Sequence, residues 1–157
     1  MKDIELITFV QAKEYCELDA GERELVDRAR EAVKGSYSPY SHFKVGAAIR
    51  LDNGVTVGGA NQENVAFPSG TCAERSAAFY AGANYPDAHF DMIAIASVDA
   101  DGLVPVIPTP PCGACRQALL EYEMRAGHDV PVLLAGRNVV YRLKSVKSLL
   151  PLSFTDF

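Results

Sequence analysis

Apolar residues recur at helical spacing in the first strongly patterned part of the chain, residues 22–34. The residues that share one helical face there are Leu25, Val26, Ala29, Ala32 and Val33. This spacing predicts an amphipathic helix that packs on the rest of the protein. Asp19 and Glu22 form a capping pair for its start, and Gly35 is expected to end it in a left-handed conformation.

Shorter apolar runs and two further helical patterns follow this helix. Strands are predicted at residues 43–50, 55–60, 92–98, 130–135 and 138–143, and helices at residues 72–83 and from about Cys112 to Gly127. The turn Asp52-Asn53-Gly54 would join the first two strands as a hairpin. The order of elements favours an α/β fold, a three-layer α/β/α sandwich around a mixed five-stranded sheet.

The length of 157 residues suits one domain, residues 1–157, and 48% hydrophobic residues can supply its core. The net charge of -5 disfavours a nucleic-acid polymer as partner, since a negative surface repels phosphates. No apolar run approaches the roughly 20 residues that cross a bilayer, and residues 1–10 lack a signal-peptide core. We therefore expect a cytoplasmic protein without a membrane partner, in which the four cysteines serve metal binding or redox chemistry rather than disulfides.

Three of the cysteines, Cys72, Cys112 and Cys115, stand at the starts of the two later helices. Cys112 and Cys115 share a face of a first helical turn, and helix N-termini favour the thiolate that zinc binds. If adjacent strands lead into the two helices, their N-termini converge and bring Cys72 to the same ion. Three protein ligands leave a position for water, as in catalytic zinc sites, and Glu74 can transfer the protons of that water.

Other interpretations of these residues stay open at this point. The zinc could be structural, with Cys16 as fourth ligand, or Cys112 and Cys115 could be a redox pair, although neither explains Glu74. Arg75 is either an ordinary surface arginine or a donor of hydrogen bonds to the ligand sulfurs that offsets the charge of three thiolates. The three histidines show no ligand spacing and are expected on the surface or in loops.

Four linked motifs occur along the chain: Tyr40-Ser41-His42-Phe43-Lys44-Val45-Gly46-Ala47-Ala48, Asn61-Gln62-Glu63-Asn64, Cys72-Ala73-Glu74-Arg75 and Pro111-Cys112-Gly113-Ala114-Cys115-Arg116-Gln117. Together they resemble the small cytidine deaminases, from about the first helix onward. The resemblance implies hydrolysis of cytidine or deoxycytidine to uridine or deoxyuridine plus ammonia in pyrimidine salvage. It also implies one Zn²⁺ per subunit on Cys72, Cys112 and Cys115, and Glu74 as proton shuttle for the water that attacks C4 of the cytosine ring.

The same resemblance implies a set of substrate-binding residues. Asn61 and Glu63 match positions that bind ribose hydroxyls, Phe43 matches an aromatic that packs near the base, and Ala73 belongs to the same set. Phe154, in a tail similar to the family's C-terminus, is the candidate for a side chain that reaches a neighbouring subunit's site, which implies a homotetramer. Considered alone, Phe43 would more simply be a core residue, and Asn61 and Glu63 polar loop residues.

Some positions depart from the family pattern. Ala60 stands where many members carry cysteine, Gln62 stands where a branched apolar residue is common, and the segment before Glu22 is longer than expected. These departures leave the exact nucleoside open. The alternative functions are deamination of another cytosine nucleoside such as a nucleoside antibiotic, a non-catalytic zinc-stabilised interaction domain, and editing of polynucleotides, which the acidic charge disfavours.

Overall fold

Residues 2–155 are described by the computed structural model of the chain, and within them three α-helices and six strands form the framework. Met1, Asp156 and Phe157, which the single-domain prediction includes, lie outside the described residues. No helix in the described range is both long and apolar enough to cross a membrane. In chain order the elements are β1 Gln11–Lys13, α1 Ala20–Ala32, β2 Lys44–Leu51, β3 Thr56–Ala60, α2 Ala73–Asn84, β4 Phe90–Val98, α3 Gly113–Ala126, β5 Val132–Ala135 and β6 Val140–Leu143.

The six strands form one mixed sheet with the order β1-β6-β5-β4-β2-β3. β4 and β5 pair in parallel, and all other neighbouring strands are antiparallel. The prediction of a mixed sheet is confirmed, but the prediction of five strands is wrong. The additional strand is β1, whose Gln11 pairs with Arg142 of β6 at the sheet edge. Three mostly exposed residues carry no apolar alternation, so only the backbone pairing identifies this strand.

Helices cover both faces of the sheet. Successive residues of a strand point to opposite faces, and β4 shows the consequence. Ile93 and Ile95 pack in one core with α2 and α3, whereas Ala94 and Ala96 pack in the other with α1. The predicted three-layer α/β/α sandwich is therefore confirmed.

The predicted start of α1 is confirmed, and its predicted left-handed end is wrong. At the start of α1, Asp19 accepts a hydrogen bond from the backbone N–H of Glu22 at 2.8 Å, and the Glu22 carboxylate accepts one from the backbone N–H of Asp19 at 3.3 Å. The predicted capping pair is thus confirmed. A left-handed end at Gly35 is wrong, because the chain tightens into a 3-10 turn over Val33–Gly35. At the end of α3, Gly127 does adopt the left-handed conformation, with φ of 71°.

The sheet brings the starts of α2 and α3 to one end of the molecule. β3 and β4 are both antiparallel to β2, so they run in the same direction and the chain leaves both at the same end. The prediction that the two helix starts converge is conditional on adjacent strands, and this condition is wrong, because β2 lies between β3 and β4. The helices that follow them nevertheless pack side by side on one face.

Candidate metal centre and adjoining cleft

Three thiol groups meet where α2 and α3 begin. Cys72 and Cys112 are the N-cap residues of the two helices, with extended backbone conformations, and Cys115 lies in the first turn of α3. The Sγ atoms of Cys72 and Cys112 are 3.8 Å apart, and those of Cys112 and Cys115 are 3.4 Å apart. All three sulfurs lie within 4.8 Å of one another. The two helix starts therefore present three sulfurs to one point.

The sulfur positions fit a tetrahedral zinc ion. Zn–S bonds of about 2.3 Å place two sulfurs of a tetrahedron about 3.8 Å apart, which is close to the observed separations. No fourth ligand atom from Cys, His, Asp or Glu joins the group among residues 2–155. Cys16 is exposed and its thiol contacts Glu14, so a structural zinc with Cys16 as ligand is wrong. A site with three protein ligands leaves a position for water.

The thiols of Cys72 and Cys115 differ in how readily they lose a proton. Cys72 accepts a hydrogen bond from the thiol of Cys115, and this contact is the main reason that the pKa of Cys72 falls to about 5. The Arg75 guanidinium lowers it further through a hydrogen bond to the same sulfur. The contact with Cys72 and burial raise the pKa of Cys115. One thiolate therefore forms readily beside the positive ends of two helices, and thiolate is the form that zinc binds.

Glu74 lies in the first turn of α2 with only 4% of its surface exposed. Burial is the main cause that raises the pKa of its carboxyl group, and the negative charge of Cys72 adds to the effect. Hydrogen bonds from its own backbone N–H and from the Cys115 thiol act in the opposite direction. A carboxyl group with a raised pKa beside a metal-binding cluster can both accept and release a proton.

Arg75 contacts the metal centre rather than pointing away from it. Its Nη2 lies 3.9 Å from the Sγ of Cys72, and this contact is the main cause that raises the pKa of Arg75. Its Nε is buried and has no hydrogen-bond partner within the described part of the chain. These contacts favour a guanidinium that offsets thiolate charge over an ordinary surface arginine.

A cleft of about 530 Å³ borders the thiol cluster. Its wall includes Cys72 and Arg75 of the metal centre together with Asn61 and Glu63. This volume is in the range of pockets that bind small molecules. Within the described chain, six of the predicted site residues do not line it: Phe43, Ala73, Glu74, Cys112, Cys115 and Phe154.

Asn61 holds the chain segment that enters β2. Its Oδ1 accepts hydrogen bonds from the Ser36 hydroxyl at 2.6 Å and from the backbone N–H of Val45 at 2.8 Å. Its Nδ2 donates to the carbonyl oxygen of Phe43 at 2.9 Å. Phe43, which is half-buried, is therefore brought next to Asn61 through its backbone.

Glu63 holds the neighbouring turn. Its carboxylate accepts hydrogen bonds from the backbone N–H groups of Tyr40 and Ser41, at 2.9 and 3.3 Å, and from the Ser41 hydroxyl. The Ser41 hydroxyl is the main cause that lowers the pKa of Glu63, and His42 contributes a smaller electrostatic effect in the same direction. Asn61 and Glu63 thus belong to one hydrogen-bonded wall of the cleft.

Ala73 and Phe154 occupy contrasting positions. Ala73 is fully buried at the first position of α2, between Cys72 and Glu74. Phe154 is 66% exposed, and its backbone carbonyl and N–H are bonded to the side-chain amide of Gln117 at 2.8 and 3.4 Å. The structure brings Ala73 to the metal centre and leaves Phe154 outside the cleft of its own chain.

Two cleft residues, Tyr40 and Phe67, have no role in the sequence-based prediction of the site, although Tyr40 begins the first of the four motifs. Their rings form a T-shaped pair with centroids 6.0 Å apart. Both side chains are exposed, Phe67 at 77%. The signal available in the sequence was an aromatic residue next to a proline in each of two polar loops, at Pro39-Tyr40 and Phe67-Pro68.

Comparison with known proteins shows a family match over most of the chain. Residues 20–127 match the family model described as the cytidine and deoxycytidylate deaminase zinc-binding region. The cytidine deaminase of Halalkalibacterium halodurans is 41% identical over 131 residues, which are 83% of this chain and 92% of that protein. The cytidine deaminase of Mycobacterium tuberculosis is 42% identical over 105 residues, 65% of this chain and 74% of that protein.

Solved structures agree with the sequence relatives. The crystal structure of cytidine deaminase from Burkholderia pseudomallei matches with a TM-score of 0.69 at 34% identity, over 83% of this chain and 97% of that chain. The crystal structure of cytidine deaminase from Mycobacterium tuberculosis matches with a TM-score of 0.67 at 33% identity, over 88% of this chain and 100% of that chain. The family match begins at α1, so the segment that contains β1 lies outside it.

Proposed function

This chain belongs to the cytidine and deoxycytidylate deaminase family, and on that premise we propose that it hydrolyses cytidine or deoxycytidine to uridine or deoxyuridine and ammonia. The chain is a hydrolytic deaminase with a zinc-binding region. The roles that we assign to residues of this chain rest on one observation. A buried carboxyl group, Glu74, stands beside three convergent thiols at the border of a cleft of nucleoside size.

The roles at the metal end follow from this arrangement. Cys72, Cys112 and Cys115 would hold the zinc ion, which when bound supplies an acidified water as nucleophile. Glu74 would accept a proton from the attacking water as the water oxygen bonds to C4 of the cytosine ring, and would deliver this proton to ring N3. Glu74 then moves the remaining hydroxyl proton to the amino group, which leaves as ammonia. Arg75 keeps its contact with Cys72 and offsets the thiolate charge.

Asn61 and Glu63 retain hydrogen-bonding capacity for a sugar. A carboxylate has about four acceptor sites, and the three donors on Glu63 leave one for a ribose hydroxyl. The Asn61 amide donates to Phe43 and keeps a second N–H for a hydroxyl oxygen. Phe43 is our candidate for the aromatic beside the base, and Ala73 for a substrate contact next to the metal.

The decisive test replaces Glu74 with glutamine. Glu74→Gln preserves the shape of the side chain but cannot accept a proton, so turnover of cytidine should fall by about a thousandfold or more. Metal analysis should still find one zinc per chain, and the thermal midpoint should stay near that of the wild type. Glu24→Gln, at an exposed position of α1, is the matched control and should keep full activity. Substantial turnover by Glu74→Gln would contradict the assigned shuttle.

The substrate class has a separate test. Zinc-loaded wild-type protein should release ammonia from cytidine, deoxycytidine or both. A loaded protein inactive on both nucleosides, but active on a modified cytosine nucleoside or on single-stranded DNA, would move the function to one of the alternatives. A loaded protein inactive on all of them would favour a non-catalytic zinc-stabilised domain.

We infer a homotetramer for the assembled enzyme. Exposed apolar side chains lie in the cleft wall, at Tyr40 and Phe67, and on α2, at Phe79 and Tyr80. Grouped apolar surface of this kind marks sites of association. Phe154 would then reach a neighbouring subunit's cleft. Light scattering on the purified protein should give four times the 17.0 kDa mass of one chain, and a monomeric, fully active protein would contradict the inference.

We also infer that the protein acts in the cytoplasm. Cys112 and Cys115 have sulfurs 3.4 Å apart, and in an oxidising compartment such thiols would be open to disulfide formation. Cell fractionation with an antibody against the chain should recover it in the cytoplasmic fraction. Recovery among exported proteins would contradict this.

A further inference from the structure

The turn before β2 contains a chain of hydrogen bonds that links two residues of the proposed substrate site. The backbone N–H of Phe43 donates to the hydroxyl oxygen of Ser41 at 3.0 Å, and the same hydroxyl donates to Oε1 of Glu63. Backbone N–H groups of Tyr40 and Ser41 occupy the other carboxylate oxygen of Glu63. One hydroxyl group therefore holds Glu63 on one side and Phe43 on the other.

The backbone of this turn needs such support. His42, between Ser41 and Phe43, has φ of 57°, in the left-handed region that residues with a Cβ rarely adopt. Conformations of this kind persist where surrounding contacts over-determine them. Phe43 is tied on one side to Ser41 and on the other, through its carbonyl, to Asn61. The turn is thereby connected to both predicted ribose-binding residues.

We propose that Ser41 is a positioning residue for sugar recognition, whose hydroxyl sets the orientation in which the Glu63 carboxylate meets a sugar hydroxyl of the substrate. This inference rests on the proposed function. Ser41 and Glu63 both line the cleft, so the bond between them lies at the binding surface. The hydroxyl takes one acceptor site of Oε1 and restrains rotation of the carboxylate, which leaves the remaining site in a defined direction.

Ser41→Ala tests this role through separate kcat and KM measurements. The KM for cytidine should rise about tenfold, the equivalent of one hydrogen bond to a charged group, while kcat changes by less than about twofold. With 2′,3′-dideoxycytidine, which lacks the 2′ and 3′ hydroxyls of the sugar ring and keeps the 5′ hydroxyl, kcat/KM should be nearly unchanged, because the proposed contact is with a ring hydroxyl. Ser41→Thr keeps the hydroxyl and should restore the wild-type KM. Ser69→Ala, at an exposed serine of the turn Phe67–Ser69, is the matched control.

Two results would overturn the proposal: an unchanged KM for cytidine in Ser41→Ala, or an equal loss with dideoxycytidine. A double-mutant cycle gives an independent check, because Glu63→Ala removes the group that Ser41 orients. The effect of Ser41→Ala should vanish in that background, and additive effects would contradict the proposal. If Ser41→Ala does not fold, Ser41→Cys, a weaker donor of similar shape, should still raise KM. Wild-type protein inactive on cytidine and deoxycytidine would instead overturn the proposed function.

Discussion

The metal half and the sugar half of the proposed active site are built in different ways. The metal half, defined as Cys72, Glu74, Cys112 and Cys115, lies at the starts of two helices that pack on the sheet. Its residues are placed by backbone geometry, and Cys115 and Glu74 are buried. Small displacements there are opposed by the close packing of the whole core.

The sugar half, defined as Ser41, Phe43, Asn61 and Glu63, belongs to loops and strand ends. Its residues are placed by hydrogen bonds from side chains to backbone groups, and none of the four is fully buried. Such bonds can be lost singly without disrupting a core. We therefore expect changes in the metal half to abolish activity or to destabilise the fold, and changes in the sugar half to weaken substrate binding to different degrees.

The largest effect is expected from loss of a buried ligand. Cys115→Ser replaces the thiolate with a hydroxyl that binds zinc poorly, so zinc content should fall well below one per chain and turnover below detection. Metal analysis and an ammonia-release assay measure the two quantities. Cys16→Ser, at an exposed thiol away from the cluster, should keep both. Full activity of Cys115→Ser would contradict the expectation that the metal half is more sensitive to substitution than the sugar half.

The packing beneath the metal half gives the next largest effect. A Cβ at Gly59 of β3 would lie 2.5 Å from the backbone N of Ala77 and 2.7 Å from the carbonyl oxygen of Ala73, both in α2. Gly59→Ala should therefore lower the free energy of unfolding by about 1–3 kcal/mol in denaturant titrations, and weaken zinc binding as the start of α2 shifts. At Gly58 the nearest contact would be 3.7 Å, so Gly58→Ala is the matched control. Equal stability of both variants would show that α2 yields more easily than its packing indicates.

The pH dependence of the KM for cytidine tests the sugar half. Hydrogen bonds, chiefly from Ser41, lower the pKa of Glu63, so its carboxylate stays charged as the pH falls and is protonated only below the usual range of glutamate. The KM for cytidine should therefore stay nearly constant from about pH 7 to about pH 5. In Ser41→Ala the pKa of Glu63 rises, and the increase in KM should begin at higher pH. Identical KM profiles for the two proteins would argue against this coupling.

The smallest effect is expected at the strained turn of the sugar half. His42→Gly relieves the left-handed conformation, but glycine loses more conformational freedom on folding. The two contributions nearly cancel, so the free energy of unfolding should change by less than about 1 kcal/mol. His128→Gly, at an exposed position without a left-handed backbone to relieve, should be the more destabilised of the two. A large loss of stability in His42→Gly would show that the imidazole itself supports the turn.

Predictions from sequence succeeded where the physical cause lies within a few residues. The capping pair Asp19 and Glu22 and the helix starts at Cys72 and Cys112 were all predicted, because caps depend on local backbone groups. β1 was missed, since its three residues show no apolar alternation and its strand partner, β6, is far along the chain. The left-handed end at Gly35 failed because glycine permits that conformation without requiring it.

The local sequence sets the donor types, the spacing of Cys112 and Cys115 across one helical turn, and the acidic residue two positions after Cys72, since these follow from side-chain chemistry and helical period. The contact of Cys72 with the other two thiols, and the link that Ser41 forms between Glu63 and Phe43, depend on the packed fold. Those contacts join residues that are distant along the chain, and the order and direction of the strands between them set the distances. A local pattern can name such partners, but only the packed sheet brings them together.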